Sequence, residues 1–480
     1  VIVQENNSEK QELDEVSLEN GTDEPPPRDW GAEVRRVAGP AILQSFAATL
    51  VFAVDRVMLG HAGREALASM QLAGPLEWSI ISIFSAFEVA AVARVGAHVG
   101  AENNRAARQA SRLAVFVALV AGALVAVATP GILHVLLQTA DPRSSAGPLA
   151  ASYLTSTLLA SPLVFLALAL TAISQARGDT RTPLLVAVFV QLVHLATNRV
   201  LILGAFGIPA YGIRGAGIST AITFSLQAGL LATIAFRRGW LDGDAAFPPG
   251  NSLDLPTPTR AQELRAMLAV GGPALGERAI YHTGFLAYVA MIAGLGDVAM
   301  AANQSLIAIE SVCFNAADGF GAATAATMAR ARGAAPLCSR ALGAPSGESL
   351  VLSRASRDAL ALLAGAGLLA VVLREPLLAL FGRDAPVLAL GARAMPVLAL
   401  AQPWMALGTV YASALRGVGK TRPVLGVSLL GAFAVRIAAT WFFAYGMKLG
   451  LVGIWLGSTT DWVVRTLLLR RLVRQEFAPR

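Results

Sequence analysis

After residue 37 the chain runs through one apolar stretch of about 20 residues after another, and this recurrence limits its fold more than any other feature. A helix rising about 1.5 Å per residue needs about 20 apolar residues to cross a hydrocarbon layer roughly 30 Å thick. In lipid, only helices and closed barrels satisfy their own backbone groups, and the alternating pattern of barrel strands is absent from this sequence. Hydrophobic residues make up 55% of the 480 positions and charged residues 14%, well under the roughly 25% charged share of a soluble chain. The expected fold class is therefore all-α integral membrane.

Apolar segments fall at 38–60, 72–98, 113–137, 149–172, 183–204 and 212–236, then at 266–294, 298–328, 358–381, 387–415, 424–446 and 450–472. That makes twelve transmembrane helices. Arginine and lysine gather after alternate segments, as at Arg105, Arg108 and Arg112, at Arg177 and Arg181, at Arg237 and Arg238, at Arg416, Lys420 and Arg422, and at Arg470, Arg471 and Arg474. Excess cations mark cytoplasmic loops, although Arg374, Arg383 and Arg393 weaken the contrast. Both termini are expected on the cytoplasmic side of the cell inner membrane, with the lipid bilayer as the main partner.

The formal charge of +7 divides unevenly, because residues 1–36 carry ten acids against Lys10, Arg28, Arg35 and Arg36, a net of −6. Such an acidic head, with Pro25, Pro26 and Pro27, is expected to be a disordered cytoplasmic tail. The expected organisation is this tail at 1–36, a six-helix lobe at 37–236, a polar cytoplasmic linker at 237–265, a second six-helix lobe at 266–472 and a short tail at 473–480. The basic clusters between helices follow from membrane topology, so no nucleic-acid partner is expected.

The halves repeat one another. Gly178-Asp179-Thr180-Arg181 answers Gly419-Lys420-Thr421-Arg422, Gly212-Ile213-Arg214-Gly215 answers Gly450-Leu451-Val452-Gly453, and Gly63 with Gln71 answers Gly296 with Gln304. An even number of spans separates the copies, so the lobes are parallel and related by a pseudo-two-fold axis along the membrane normal. A cavity between two such lobes is the expected substrate site.

Acids inside apolar helices are costly and stand out. Asp55, near the end of the first span, would cost about 2.5–3.5 kcal/mol at a helix centre, and a buried carboxylate gains from binding a proton or sodium. A solvated helix end or a pair with Arg56 is the competing reading. Pro40 removes a helix hydrogen bond and is a candidate hinge for that span, with a prolyl helix start as the alternative. Glu88 and Glu310 also lie within apolar runs, where a snorkelling pair of Glu88 with Arg94 competes. Asn303, Gln304 and Glu310 form a candidate cavity lining on the eighth span, with Asn315 and Asp318 further along it. His194 and Asn198 are four residues apart on one face of the fifth span, with Gln191 on nearly the same stripe. They are either a cavity-facing group or a helix-to-helix contact worth about 0.6 kcal/mol.

Other motifs carry no chemistry. Cys313 and Cys338 lack CxxC spacing or a nearby histidine pair, so packing roles are expected and no metal. The run from Ala414 to Thr421 imitates a phosphate-binding loop, but that loop needs a preceding strand, and the repeat copy has Asp179 where Lys420 stands. No nucleotide is expected. A membrane enzyme acting on lipid would need a nucleophile and base or a metal cluster, and none is visible.

Taken in order, these blocks resemble the multidrug and toxic compound extrusion (MATE) transporters. The resemblance is carried by Val54-Asp55 with Gly60-His61-Ala62-Gly63, by Arg177 to Pro183, by Asn198-Arg199-Val200-Leu201, by Asn303-Gln304 with Ile309-Glu310-Ser311, and by Leu415-Arg416-Gly417 through Pro423. It covers roughly residues 38–472. It implies a V-shaped twelve-helix antiporter that exports organic cations or amphipathic small molecules against protons or sodium, with no other cofactor, acting as a monomer. The DinF-like branch uses a first-span Asp, which falls on Asp55, and a polar cluster on the fifth span, which falls on His194 and Asn198 as cation-coupling residues. The NorM-like branch uses acids on the seventh and tenth spans, where this chain has Glu277 nearer the helix start and Ala412. The chain is thus expected nearer the DinF-like branch. A lipid-linked precursor or oligosaccharide flippase of the same superfamily is the alternative.

Overall fold

A computed structural model describes residues 29–62, 64–139, 145–242, 256–335, 346–381 and 384–477, with the side chains of 47–57, 60–62, 64, 67–68 and 71 outside the description. The first half holds α1 (Trp30–Ala62), α2 (Arg64–Phe84), α3 (Phe87–Gly100), α4 (Asn104–Thr139), α5 (Ala146–Leu159), α6 (Ser161–Ala176), α7 (Arg181–Leu203) and α8 (Gly212–Arg237). The second holds α9 (Arg260–Ala293), α10 (Asp297–Ala334), α11 (Gly347–Val372), α12 (Arg374–Ala379), α13 (Ala385–Gly417), α14 (Thr421–Ser428), α15 (Arg436–Trp441) and α16 (Gly450–Phe477). A π-helical turn, Leu429–Val435, joins α14 to α15, and a second, Phe442–Gly446, ends the same span.

Among the described residues eight helices are long and apolar enough to cross a membrane, and the bent pair α5–α6 makes nine. The more charged α1, α9 and α16 complete the twelve spans. On α9 and α16, Glu277, Asp461 and Arg465 are buried against protein, as intramembrane charges must be. The fourth span bends by 53° between α5 and α6, where Pro162 sits in the first turn of α6 and cannot donate to the preceding turn. The second span is broken between α2 and α3.

Packing follows the sequence repeat. In the first lobe α8 packs on α5, α6 and α7, and α1 on α7; in the second α16 packs on α13 and α15, and α9 on α14. Between the lobes α1 meets α10, α3 meets α9, and α3 meets α10. Exchanging the halves turns the first of these contacts into the second and leaves the third unchanged, so a two-fold axis passes between α3 and α10.

That axis runs through small residues, which let helix backbones approach in lipid. A Cβ on Gly96 would lie 2.6 Å from the Ala329 Cβ; one on Gly100 would overlap the Arg330 carbonyl, and one on Gly333 the Ala97 carbonyl. The turns repeat as well. Gly178 and Gly419 have φ of 83° and 80°, and Gly212 and Gly450 have 55° and 56°, values that glycine adopts without steric cost.

Two expectations shift. Helix α1 begins at Trp30, so residues 30–36 are helical and are not tail; residues 1–28 lie outside the described residues. Trp30, Val34 and Val37 recur at helical spacing and are buried in the second lobe's core, a face that counting charge over the head conceals. Pro40 lies within the continuous helix α1 and does not start it.

Candidate functional site

A cavity of about 410 Å³ opens between the lobes. Its wall carries Trp78 from α2, Glu88 from α3, Glu277, Arg278 and Tyr281 from α9, Phe314 and Asp318 from α10, Arg416 from α13, and Trp462 and Arg465 from α16. Aromatic faces thus alternate with six charged groups. Arg416 donates from Nε to Glu277 Oε2 at 3.2 Å and from Nη2 to Oε1, and Ser428 Oγ donates to the same carboxylate at 2.9 Å. Arg278 reaches across the lobes, donating to the Ser82 carbonyl at 2.8 Å and to Ser85 Oγ at 2.9 Å. It lies within electrostatic reach of Glu88 and of Asp318. Ser79 Oγ and His282 Nδ1, 3.1 Å apart, join the lobes beside Trp78, whose ring meets that of His282 edge-on at 4.4 Å.

The arginine-rich end of the bundle is closed by ion pairs between the lobes. Arg94 donates to both oxygens of Glu263, at 2.8 and 2.6 Å, and His98 Nε2 lies 3.2 Å from Oε2. Burial alone would raise the Glu263 pKa, but hydrogen bonds from Arg94 and His98 hold it at about 2. Glu33 pairs with Arg330 at 3.0 Å. Thr259 and Gln262 cap α9 reciprocally and so fix the turn that carries Glu263. Arg94 therefore pairs with Glu263, and Glu88, for which a snorkelling pair with Arg94 is the competing reading, faces the cavity.

The cation-coupling candidates of the first lobe gather between α7 and α8. His194 Nδ1 lies 2.9 Å from Thr223 Oγ1 and 3.2 Å from Ser219 Oγ, and Asn198 Nδ2 lies 3.1 Å from His194 Nε2. His194 and Asn198 are both buried. Asp55 is carried by α1, which packs along α7, but its side chain lies outside the described residues. Glu77, which sequence reading passed over, is buried on α2 and accepts a 2.8 Å hydrogen bond from the Tyr153 hydroxyl.

Of the polar residues expected to line the cavity, Asp318 is on its wall, whereas Gln191, Asn303, Gln304 and Glu310 are not. Gln304 is exposed, whereas Asn303 is buried; adjacent helical residues point about 100° apart, so only one of the two can face inward. Gln191 lies on α7, away from the cavity, and its Oε1 is buried with no hydrogen-bond partner among the described residues. Glu310 is half-buried and faces the second lobe's interior, within electrostatic reach of Arg436. From this stripe the wall takes only Asp318, two helical turns beyond Glu310 on α10. The Asp461 and Arg465 pair, four residues apart in an apolar span, was the available signal for the site's other half. Cys313 is buried and unpaired, as a packing residue; Cys338 lies outside the described residues.

Two parallel six-helix lobes around a charged central cavity define a polytopic membrane protein of the two-lobed class. The MatE family model matches residues 40–200 and 273–442, and the chain belongs to that family. It is 24% identical to the probable multidrug resistance protein NorM of Thermotoga maritima, over 91% of this chain and 90% of that one. It is 30% identical to the protein of the same name from Pseudomonas aeruginosa, over 88% and 85%. The MATE transporter VcmN of Vibrio cholerae shares the fold, with a TM-score of 0.82 at 19% identity over 93% of this chain and 97% of that one. Both relatives carry the NorM name, so the expected closeness to the DinF-like branch gains no support from them.

Proposed function

We propose that the chain is a secondary-active antiporter that exports amphipathic or cationic small molecules in exchange for protons or sodium. The observation that carries this reading is the inter-lobe cavity, walled by aromatic and charged side chains and shut at one end by Arg94, His98, Glu263, Glu33 and Arg330. Alternating access needs a central site whose two mouths open in turn, and closure at the arginine-rich end leaves the other mouth as the exit. By the excess of cations that end is cytoplasmic, as are both termini and the linker at 237–265. Coupling is assigned to the first lobe, DinF-like in pattern, through Asp55 on α1, with His194 and Asn198 on the neighbouring α7, and Pro40 as the hinge of α1.

Asp55→Asn is expected to abolish gradient-driven efflux of a cationic dye from proteoliposomes. Undiminished efflux would remove Asp55 from the mechanism. Arg278, Arg416 and Arg465 on the cavity wall favour a second reading, a flippase for anionic lipid-linked precursors. Two of these arginines are already held by Glu277 and Asp461, which weakens it. Assaying dye efflux and labelled-lipid flipping on the same reconstituted protein separates the two: flipping without efflux would favour the flippase.

A further inference from the structure

The lobes hold different groups at the same place. Pro40 and Pro273 lie 233 residues apart, and Gly96 and Ala329, which meet at the axis, keep that spacing. It sets Tyr288 at the place of Asp55 and Glu310 at the place of Glu77. On the fifth and eleventh spans the spacing begins at 241, from Gly178 to Gly419, and the π-helical turn Leu429–Val435 adds one residue. Beyond it, Gly215 packs on the peptide after Leu201 and Gly453 on the peptide after Phe443, a spacing of 242 that makes Arg436 the counterpart of His194. On α8 and α16 the spacing of 238 from Gly212 to Gly450 pairs Thr223 with Asp461.

The bonds agree with this correspondence. Where His194 Nδ1 meets Thr223 Oγ1 at 2.9 Å, Arg436 Nε donates to Asp461 Oδ2 at 2.9 Å. Where Asp55 stands on α1, Tyr288 on α9 places its ring 5.7 Å from the Arg436 guanidinium. Asp461 is fully buried and also accepts from Arg465 Nη2 at 2.8 Å. Among the described residues, the titratable groups facing Arg436 from its neighbouring helices are Asp461 and Arg465 on α16, Glu310 on α10, and Tyr281 and Tyr288 on α9. Two guanidinium groups and two carboxylates balance to zero.

We propose that Arg436 is a tethered cation, which fills in the second lobe the place that the coupling ion takes in the first and keeps that lobe from binding a proton or sodium. One ion site per molecule is left. This rests on the first-lobe coupling proposed above. Arg436→Gln leaves Asp461 and Glu310 facing Arg465 alone, with one uncompensated negative charge in a buried site, and such a charge recruits a cation or a proton.

The test uses the purified full chain in detergent, with radioactive sodium binding and thermal unfolding measured in sodium against choline chloride, and across pH. In an Asp55→Asn background, adding Arg436→Gln is expected to gain about one sodium ion or one proton per molecule, with a matching rise in unfolding midpoint. Adding Arg436→Lys, which keeps the charge, is expected to gain none. A folded Asp55→Asn/Arg436→Gln protein that gains neither overturns the proposal. So does an unsubstituted protein that binds two ions, a measurement that needs no variant to fold. If Asp55→Asn alone still binds one ion, the first-lobe reading fails, while the gain on Arg436→Gln is scored against its own parent.

Discussion

Among the described residues, several charged side chains inside this bundle are locked in pairs, and others line the central cavity. Glu263 shows the first case. Removing one partner of a buried ion pair costs about 3–5 kcal/mol, so Glu263→Gln is expected to lower the unfolding midpoint in detergent and loosen the arginine-rich end. The pH dependence follows from a folded pKa of about 2 against an ordinary 4.5. A depressed carboxylate stabilises fully above about 4.5, and that contribution is lost as pH falls toward 2. The stability gap between the unsubstituted protein and Glu263→Gln should therefore close across that window; a gap independent of pH would contradict the pairing. Reading residues from sequence succeeded where one side chain was chemically conspicuous. It placed His194 and Asn198 together because four residues make one helix face. It missed Glu77 and Asp461, and it could not tell Asp318, which is on the wall, from Asn303, Gln304 and Glu310, which are not, because the rotation of each helix about its own axis, which decides what a side chain meets, comes from partner helices that the sequence does not show.

At the scale of elements, all twelve spans were legible, because about 20 apolar residues suffice to identify each one. Their irregularities were not. The 53° break between α5 and α6 and the π-helical turns of the eleventh span leave hydropathy almost unchanged, yet they set the register of everything after them. That is why Arg436 could not be aligned with His194 from the sequence: a single inserted residue displaces it by about 100°. The crossing of α3 and α10 makes a sharper prediction. Gly333→Val sets a branched side chain against the Ala97 carbonyl, and overpacking of this kind costs about 1–3 kcal/mol or more when backbone must move. A lower unfolding midpoint and a weakened closure at that end are expected; unchanged stability would mean that the lobes do not meet there as described.

For the whole molecule, the repeat supplies both the architecture and its asymmetry. The same packing order in each half gives a pseudo-two-fold cavity, while the buried polar groups have diverged: imidazole, amide, hydroxyl and the Glu77 carboxylate in the first lobe, and a charge-balanced cluster that includes Glu310 in the second. Symmetry of fold with asymmetry of charge fits the proposed export coupled through one lobe. The most direct measurement is cation-dye efflux from proteoliposomes under an imposed proton gradient, an imposed sodium gradient, or neither, with Asp55→Asn in parallel. Efflux driven by one of the gradients and lost in Asp55→Asn is the predicted result. Equal efflux with and without a gradient would contradict ion-coupled export.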